Sequence, residues 1–344
     1  MTCRHLINLT AGRECGNGIS ATINKEVAMQ LIDDTKEPVY LYCCAYHEDE
    51  EQLCRLELRM LHTDIVWTDE RCYESSIVIE PGRSAFVKER LAIARSASSV
   101  DELLDLIESY PPLLKTFKVV CLKTDSGPTY EERLRIARLA GGKLRGQAEM
   151  RHPGVMFGIA WTGERWLFGE LLQNEAGWER HQDKPQHYST ALSAKLARCV
   201  VNIAAPQPEG IRVIDPCCGI GTVLLEAMAL GIAIIGSDRN PLAVRGARAN
   251  LLHYGYPDIV RIADLCHLSG DYDVAIIDLP YNVCSVMTEE ELQLMLDRAR
   301  AIARRAVFVT VEPIDMLLKK AGWKIVDRCL AHKSLFARQI VVCQ

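Results

Sequence analysis

The sequence predicts an α/β protein whose C-terminal part, from residue 189 onward, is a doubly wound parallel sheet closed by an antiparallel hairpin. Three observations lead there. Apolar runs of strand length alternate with amphipathic stretches of helical length after Ser189, the pattern of a parallel sheet flanked by helices. The last two apolar runs, 324–330 and 335–343, are separated by too few residues for a parallel crossover and must pair antiparallel. Glycines and acids cluster just behind several of the runs, where such a sheet presents the carboxyl ends of its strands.

The elements follow in order. The first 37 residues are polar and glycine-containing and receive no assignment. Residues 39–45 (VYLYCCA) read as a strand, and 51–61 as a helix with Leu53, Leu56, Leu58 and Leu61 at helical spacing. Ser76 to Glu80 reads as a strand ended by Pro81-Gly82, and Phe86 to Ala94 as a strand or the start of a helix. A helix over 100–109 stops at Pro111-Pro112. Phe117 to Lys123 is a strand, 129–139 an arginine-rich helix ended by Gly141-Gly142, and 155–161 with 166–172 a hairpin about Thr162-Gly163-Glu164. Residues 173–188 are polar, contain Pro185 and suit a linker. Helices are then expected over 191–203, 222–230, 241–254, 289–303 and 314–320. Strands are expected over 211–215, 232–237, 259–262, 274–277 and 306–311, before the final pair. The resulting division is 38–112, 113–172, a linker 173–188 and 189–344.

Composition narrows the function. A chain of 344 residues, 49% hydrophobic and 25% charged, has the profile of a soluble globular protein. The longest strongly apolar stretch, 227–236, is about half of what a membrane span needs, and the start lacks an apolar signal core. A cytoplasmic protein without a membrane partner is expected. Its 14 cysteines include no C-x-x-C pair, which disfavours zinc, and a chain with room for real cores needs no disulfide framework. Reduced, mostly buried thiols are expected, and no metal. The net charge is −5, but it is uneven. Residues 39–82 carry ten acids against three arginines, whereas 115–151 carry nine bases against four acids. A basic surface on an acidic protein is the footprint of a phosphate-backbone contact.

The first chemical motif is Asp215-Pro216-Cys217-Cys218-Gly219-Ile220-Gly221-Thr222, between the first strand and helix of the C-terminal sheet. Glycines there let the backbone approach a ligand without a Cβ clash. Asp238 follows the next strand, 23 residues after Asp215, and a carboxylate at that tip can hold ribose hydroxyls. A dinucleotide fingerprint would place glycine or alanine near Leu224 and leave the helix N-terminus free for a pyrophosphate. Asp215 would repel a phosphate and attract an ammonium group, which favours S-adenosylmethionine over NAD. Asp264, after the third strand, is positioned for an adenine amino group or for a simple strand-end cap. Pro216, Cys218, Gly219, Gly221, Thr222, Arg239 and Ala263 complete the expected cofactor set.

The second motif is Asp278-Leu279-Pro280-Tyr281, after the fourth strand. With Asp215-Pro216-x-Cys218-Gly219-x-Gly221-Thr222, Glu226 and Asp238, it resembles the class I methyltransferases that modify base nitrogens, and most of all the THUMP-containing tRNA guanine-N2 methyltransferases. Leu53 to Leu58 looks like that family's N-terminal ferredoxin-like domain. Residues 117–172, with Glu132-Arg133 and His152-Pro153, are similar to a THUMP domain, and His332-Lys333-Ser334-Leu335 with Ala337-Arg338 to the family's last hairpin. The resemblance implies a Rossmann-like class I methyltransferase domain over 189–344, preceded by a ferredoxin-like domain (38–112) and a THUMP-like domain (113–172). It also implies methyl transfer to a guanosine in tRNA, at position ten.

The chemistry of the residues agrees. A guanine exocyclic amine is a poor nucleophile because its lone pair is delocalised, so a site must align it and accept its hydrogen bonds. Asp278 can accept one and the Leu279 carbonyl the other, Pro280 restricts Leu279 to extended backbone, and Tyr281 can stack on an extruded base. The family usually has proline at 279; leucine keeps the carbonyl and loses rigidity. Lys123, Arg133, Arg138, Lys143 and Arg145 are the candidates for RNA phosphate contacts. Methyl transfer to another base, in ribosomal RNA or DNA, and a non-catalytic cofactor-binding RNA-binding protein are the alternatives. The oligomeric state stays open, with a monomer favoured.

Overall fold

The computed structural model describes residues 38–188, 191–280, 287–333 and 336–344. The unassigned first 37 residues lie outside them. Two seven-stranded sheets make up the described chain.

The first sheet is built from β1 (Tyr40–Cys44), α1 (Glu51–Leu61), β2 (Val66–Trp67), β3 (Cys72–Ser75), β4 (Val87–Ala97), α2 (Val100–Glu108), β5 (Phe117–Cys121), α3 (Tyr130–Lys143), β6 (Val155–Trp161) and β7 (Trp166–Gln173). Its order is β2-β3-β1-β4-β7-β6-β5. Strands from 38–112 and from 113–172 thus share one sheet, joined where β4 pairs antiparallel with β7. Helix α1 buries the leucines that its spacing singled out, and α3 starts in a capping box between Thr129 and Glu132.

Local chemistry moves three boundaries. The strand expected over 76–80 lies instead at Cys72–Ser75. The Asp64 carboxylate accepts from the hydroxyl of Ser75 and from both the backbone N–H (2.6 Å) and hydroxyl (2.7 Å) of Ser76, and so draws the chain out of the sheet there. The stretch read as Phe86 to Ala94 is strand, with β4 beginning at Val87 and running on to Ala97. Helix α3 runs through Gly141-Gly142 to Lys143, where the Leu144 N–H still reaches the Ala140 carbonyl; glycine costs only about 1 kcal/mol in a helix, so packing overrides it.

The second sheet comprises α4 (Ala194–Ala204), β8 (Val213–Asp215), α5 (Thr222–Ala229), β9 (Ile234–Asp238), α6 (Pro241–His253), β10 (Val260–Ile262), β11 (Tyr272–Asp278), α7 (Glu289–Ile302), β12 (Ala303–Thr310), α8 (Asp315–Lys320), β13 (Ile325–Lys333) and β14 (Phe336–Cys343). Its order is β10-β9-β8-β11-β12-β14-β13. The first five are parallel, and β14 runs antiparallel to both β12 and β13, as the short connection requires.

A single core cluster passes between the sheets, with Tyr42, Leu53, Leu58 and Phe86 on one side and Val200, Ile203, Val307 and Val342 on the other. Polar contacts frame it. Arg59 grips Asp327 through two bonds of 2.6 and 2.7 Å. Arg83 donates to the carbonyls of Ala205 and Pro206. Glu57 is fully buried, accepting from Ser84 (2.6 Å) and Asn202 (2.7 Å); burial pushes its carboxyl up and these bonds oppose the shift. The segment 173–188 is packed: Trp178, His181 and Lys184 are buried, and His181 Nδ1 lies 2.7 Å from Glu226, which also pairs with Arg198. The cysteines of the described residues are free thiols, nine buried and two half-buried. No helix among the described residues is long and apolar enough to cross a membrane.

Candidate active site

Four carboxylates end or directly follow four adjacent strands: Asp264 after β10, Asp238 on β9, Asp215 on β8 and Asp278 on β11. Adjacent strands lie about 4.8 Å apart, so these acids form one row along the carboxyl edge of the sheet. Asp215 is buried, and its carboxyl is pushed well above the usual range, first by burial and then by the charges of Asp278 and Asp238, against a bond from the Cys217 N–H. The Cys217 thiol is raised by burial and by all four acids. The row thus gathers four carboxyl groups at one edge, and burial most disfavours the charged form at Asp215.

The glycine loop turns from β8 into α5 with Gly219 and Gly221 in the left-handed region, at φ 52° and 81°. A Cβ on Gly221 would also meet the Ala247 Cβ at 3.1 Å. Asp238 fastens this loop: its two oxygens accept from the N–H groups of Gly219 (2.9 Å) and Asn240 (2.8 Å). The Cys218 N–H bonds the Ser237 carbonyl at 2.9 Å. Leu224, read from sequence as the departure from a dinucleotide fingerprint, packs where a Cβ on Gly236 would come within 2.5 Å of it; the small residue that lets helix and strand approach sits here on the strand. Thr222 Oγ1 is shielded from solvent with no hydrogen-bond partner among the described residues. Asp264 accepts from the Cys266 N–H at 2.8 Å, so the capping role is present whatever else it binds. Pro216 is buried, Ala263 half-buried with its N–H on the Asp238 carbonyl, and Arg239 exposed at the rim.

At the fourth strand, Asp278 is half-buried, Leu279 buried and Pro280 exposed; Tyr281 lies outside the described residues. The expectation that leucine loosens position 279 is corrected here. The Leu279 N–H donates to the Val309 carbonyl at 2.9 Å, a bond proline cannot make, and its side chain is 3% exposed in the second core cluster with Ile277, Leu296 and Phe308. The position is fixed by a hydrogen bond and packing in place of a ring.

The sequence reading missed Asn250. Its side chain accepts from the Gln186 N–H (2.8 Å) and donates to the carbonyls of Gln186 and Ile220 (3.1 and 2.9 Å), tying the preceding segment to the glycine loop. A lone asparagine in an otherwise ordinary helix gave no signal.

Of the five candidate RNA contacts, Arg133, Arg138 and Lys143 lie in α3, Arg145 just after it, and Lys123 just after β5. Lys123 and Arg138 are exposed. Arg133 is half-buried, its guanidinium 5.6 Å from the Tyr130 ring centroid. Lys143 is paired with Glu108 at 2.6 Å, and Arg145, though exposed, donates to the Tyr110 carbonyl. Arg135, not singled out above, is exposed on the same helix.

Residues 181–318 match the family model for UPF0020, an RMKL-like methyltransferase domain. The tRNA (guanine(10)-N2)-dimethyltransferase of Methanothermobacter thermautotrophicus is 36% identical over 33% of this chain, and the match spans only about a third (34%) of that relative's length. The enzyme of the same description from Pyrococcus abyssi is 22% identical over 72% of this chain and 83% of its own. Among solved structures, TrmN from Thermus thermophilus is similar with a TM-score of 0.47 at 18% identity, over 89% of this chain and 99% of that one.

Proposed function

We propose that this protein is an S-adenosylmethionine-dependent RNA methyltransferase acting on the exocyclic N2 of a guanosine in tRNA, at position ten as the relatives' names suggest, in the cytoplasm. The observation that carries the reading is the row of four acids around a left-handed glycine loop, ending in Asp278-Leu279-Pro280. The residues present fit the cofactor: a row of one buried and three half-buried acids suits a molecule with two positive centres, and the orphaned Thr222 hydroxyl adds a donor at the helix start. Asp215 would face the ammonium group, Asp238 the ribose and Asp264 the adenine. The bound cofactor supplies a methyl group on an electrophilic sulfonium. On this reading the sheet of β1 to β7 holds the RNA, its halves 38–112 and 113–172 being the ferredoxin-like and THUMP-like domains.

The protein's own part in the reaction is alignment and proton handling. Asp278 accepts a hydrogen bond from the target amine, stabilises the positive charge that develops on its nitrogen as the N–CH3 bond forms, and takes the proton that the nitrogen then sheds. The Leu279 carbonyl accepts the second N–H, held in place by the hydrogen bond that the Leu279 N–H donates to the Val309 carbonyl. Together they orient the nitrogen lone pair toward the methyl group, and direct displacement needs no covalent enzyme intermediate.

Labelled methyl transfer to unmodified tRNA transcripts, followed by nucleoside mass spectrometry, tests the reading. Asp278→Ala should retain cofactor and tRNA binding and lose methyl transfer by at least about a hundredfold. Wild-type activity in that variant would reject the role of Asp278. A wild type that binds the cofactor and methylates no RNA would reject the enzyme.

A further inference from the structure

A cavity of about 170 Å³ lies outside the acid row, where the N-terminal sheet's first helix meets the C-terminal hairpin. Its polar lining is Asp49, Glu50, Ser193, Lys195, His332 and Arg338. Two features place it on the catalytic edge. Helix α4 precedes β8 and runs back along the sheet, so its N-cap Ser193 stands near the strands' carboxyl ends. Strand β14 pairs antiparallel with β12, Thr310 opposite Gln339, so Arg338 lies beyond the end of β12.

The register gives the distance. Asp278 is opposite Val309, and Val309 opposite Ile340. Two strand spacings and two residue rises put the Arg338 Cα about 12 Å from that of Asp278. His332 is one strand further, next to Ala331, the residue that pairs with Arg338 in the β13–β14 ladder.

We propose that this cavity seats a backbone phosphate of the RNA next to the target nucleotide, held by Lys195 and Arg338 with His332 at its rim. The inference rests on the proposed function and adds a second grip on the strand beside the extruded base. The lining balances the acids Asp49 and Glu50 against the cations Lys195 and Arg338, so a phosphate that displaces Glu50 from Lys195 meets two cations from separate elements. Without RNA, the Lys195 Nζ is held 2.6 Å from both oxygens of Glu50 and 4.6 Å from the Phe86 ring centroid. Both partners of that pair are about a quarter exposed, and pairs of this kind are weak enough for a phosphate to displace the carboxylate. Glu50 thus keeps Lys195 aimed at the cavity and neutral toward small anions until a polyanion competes.

The test is the salt dependence of binding between the full chain and unmodified tRNA transcripts. Lys195→Gln should lower the slope of log affinity against log salt by about 0.7, the value of one phosphate on a single strand. Arg338→Gln should do the same, and the double variant should lose no more than either alone, because both side chains share one phosphate. Arg338→Lys should restore the slope, and S-adenosylmethionine affinity by calorimetry should be unchanged throughout. Arg338 is buried, so Lys195→Gln carries the test should Arg338→Gln misfold. A wild-type slope in Lys195→Gln would overturn the proposal while leaving the enzyme reading intact. A wild type that binds no tRNA would overturn both.

Discussion

Position 279 shows how one amide can do the work of a ring. Replacing Leu279 with proline removes the N–H that reaches Val309, orphans a carbonyl at a buried strand end, and removes side-chain atoms from the core. Loss of the bond alone costs about 1 kcal/mol, and more where the acceptor stays buried. Leu279→Pro is therefore expected to lower the denaturation midpoint and give no gain in methyl transfer, as chemical denaturation and the labelled-methyl assay will read. A faster and equally stable variant would mean that ring rigidity matters more than the hydrogen bond from the Leu279 N–H. Asp215, Asp238, Asp264 and Asp278 were legible from sequence because a charged residue behind an apolar run has few reasons to be there. The Leu279 bond, the Asn250 bridge and the Asp64 clasp were not, because each depends on a carbonyl or amide brought close only by folding.

At the scale of elements, helix α3 and the turn around β3 each yield an expectation. Arg135 and Arg138 are exposed on α3, whereas Lys143 and Arg145 serve Glu108 and Tyr110. Reversing Arg135 and Arg138 to glutamate should weaken tRNA binding and flatten its salt dependence without altering cofactor affinity; an unchanged slope would place the RNA on another face. Beside β3, His62 is 1% exposed, tilted against Tyr42 and edge-on to Tyr73 with Nδ1 3.0 Å from Ser75. Burial lowers it from 6.5 to about 4, with Asp64 opposing and Arg83 reinforcing the shift. The unfolded chain therefore takes up a proton below pH 6.5 that the folded chain refuses until about pH 4. Stability is full above that window and falls across it, by roughly 3 kcal/mol from this group. Denaturant midpoints at pH 7.5 and 5 should diverge less in His62→Gln than in wild type, and equal divergence would assign the acid sensitivity elsewhere. Element types were mostly readable from periodicity; the ends of β3 and α3 moved because side-chain clasps and packing outweigh local propensity.

For the whole molecule, the shared core decides the behaviour. Residues of both sheets bury one another, and Arg59–Asp327, Arg83–Ala205 and Glu57–Asn202 close the seam. Separating the sheets would expose that apolar surface, so neither is expected to unfold alone. Calorimetry should show one transition with equal calorimetric and van't Hoff enthalpies, and two resolved transitions would contradict it. The sequence suggested domains in a row joined by a polar linker; the linker's buried Trp178 and His181 and the common core are pairings between distant residues that no local pattern announces.

That seam makes the proposed enzyme a fixed gauge. If the N-terminal sheet is the grip, then grip and reactive centre, fused through common packing, keep one separation whatever the substrate. The RNA must bring the adjustment, and only a molecule whose own fold sets the right span between its held region and its target base can satisfy both ends at once. Choice of nucleotide is then written in a length, with little need for the protein to read the letters around it.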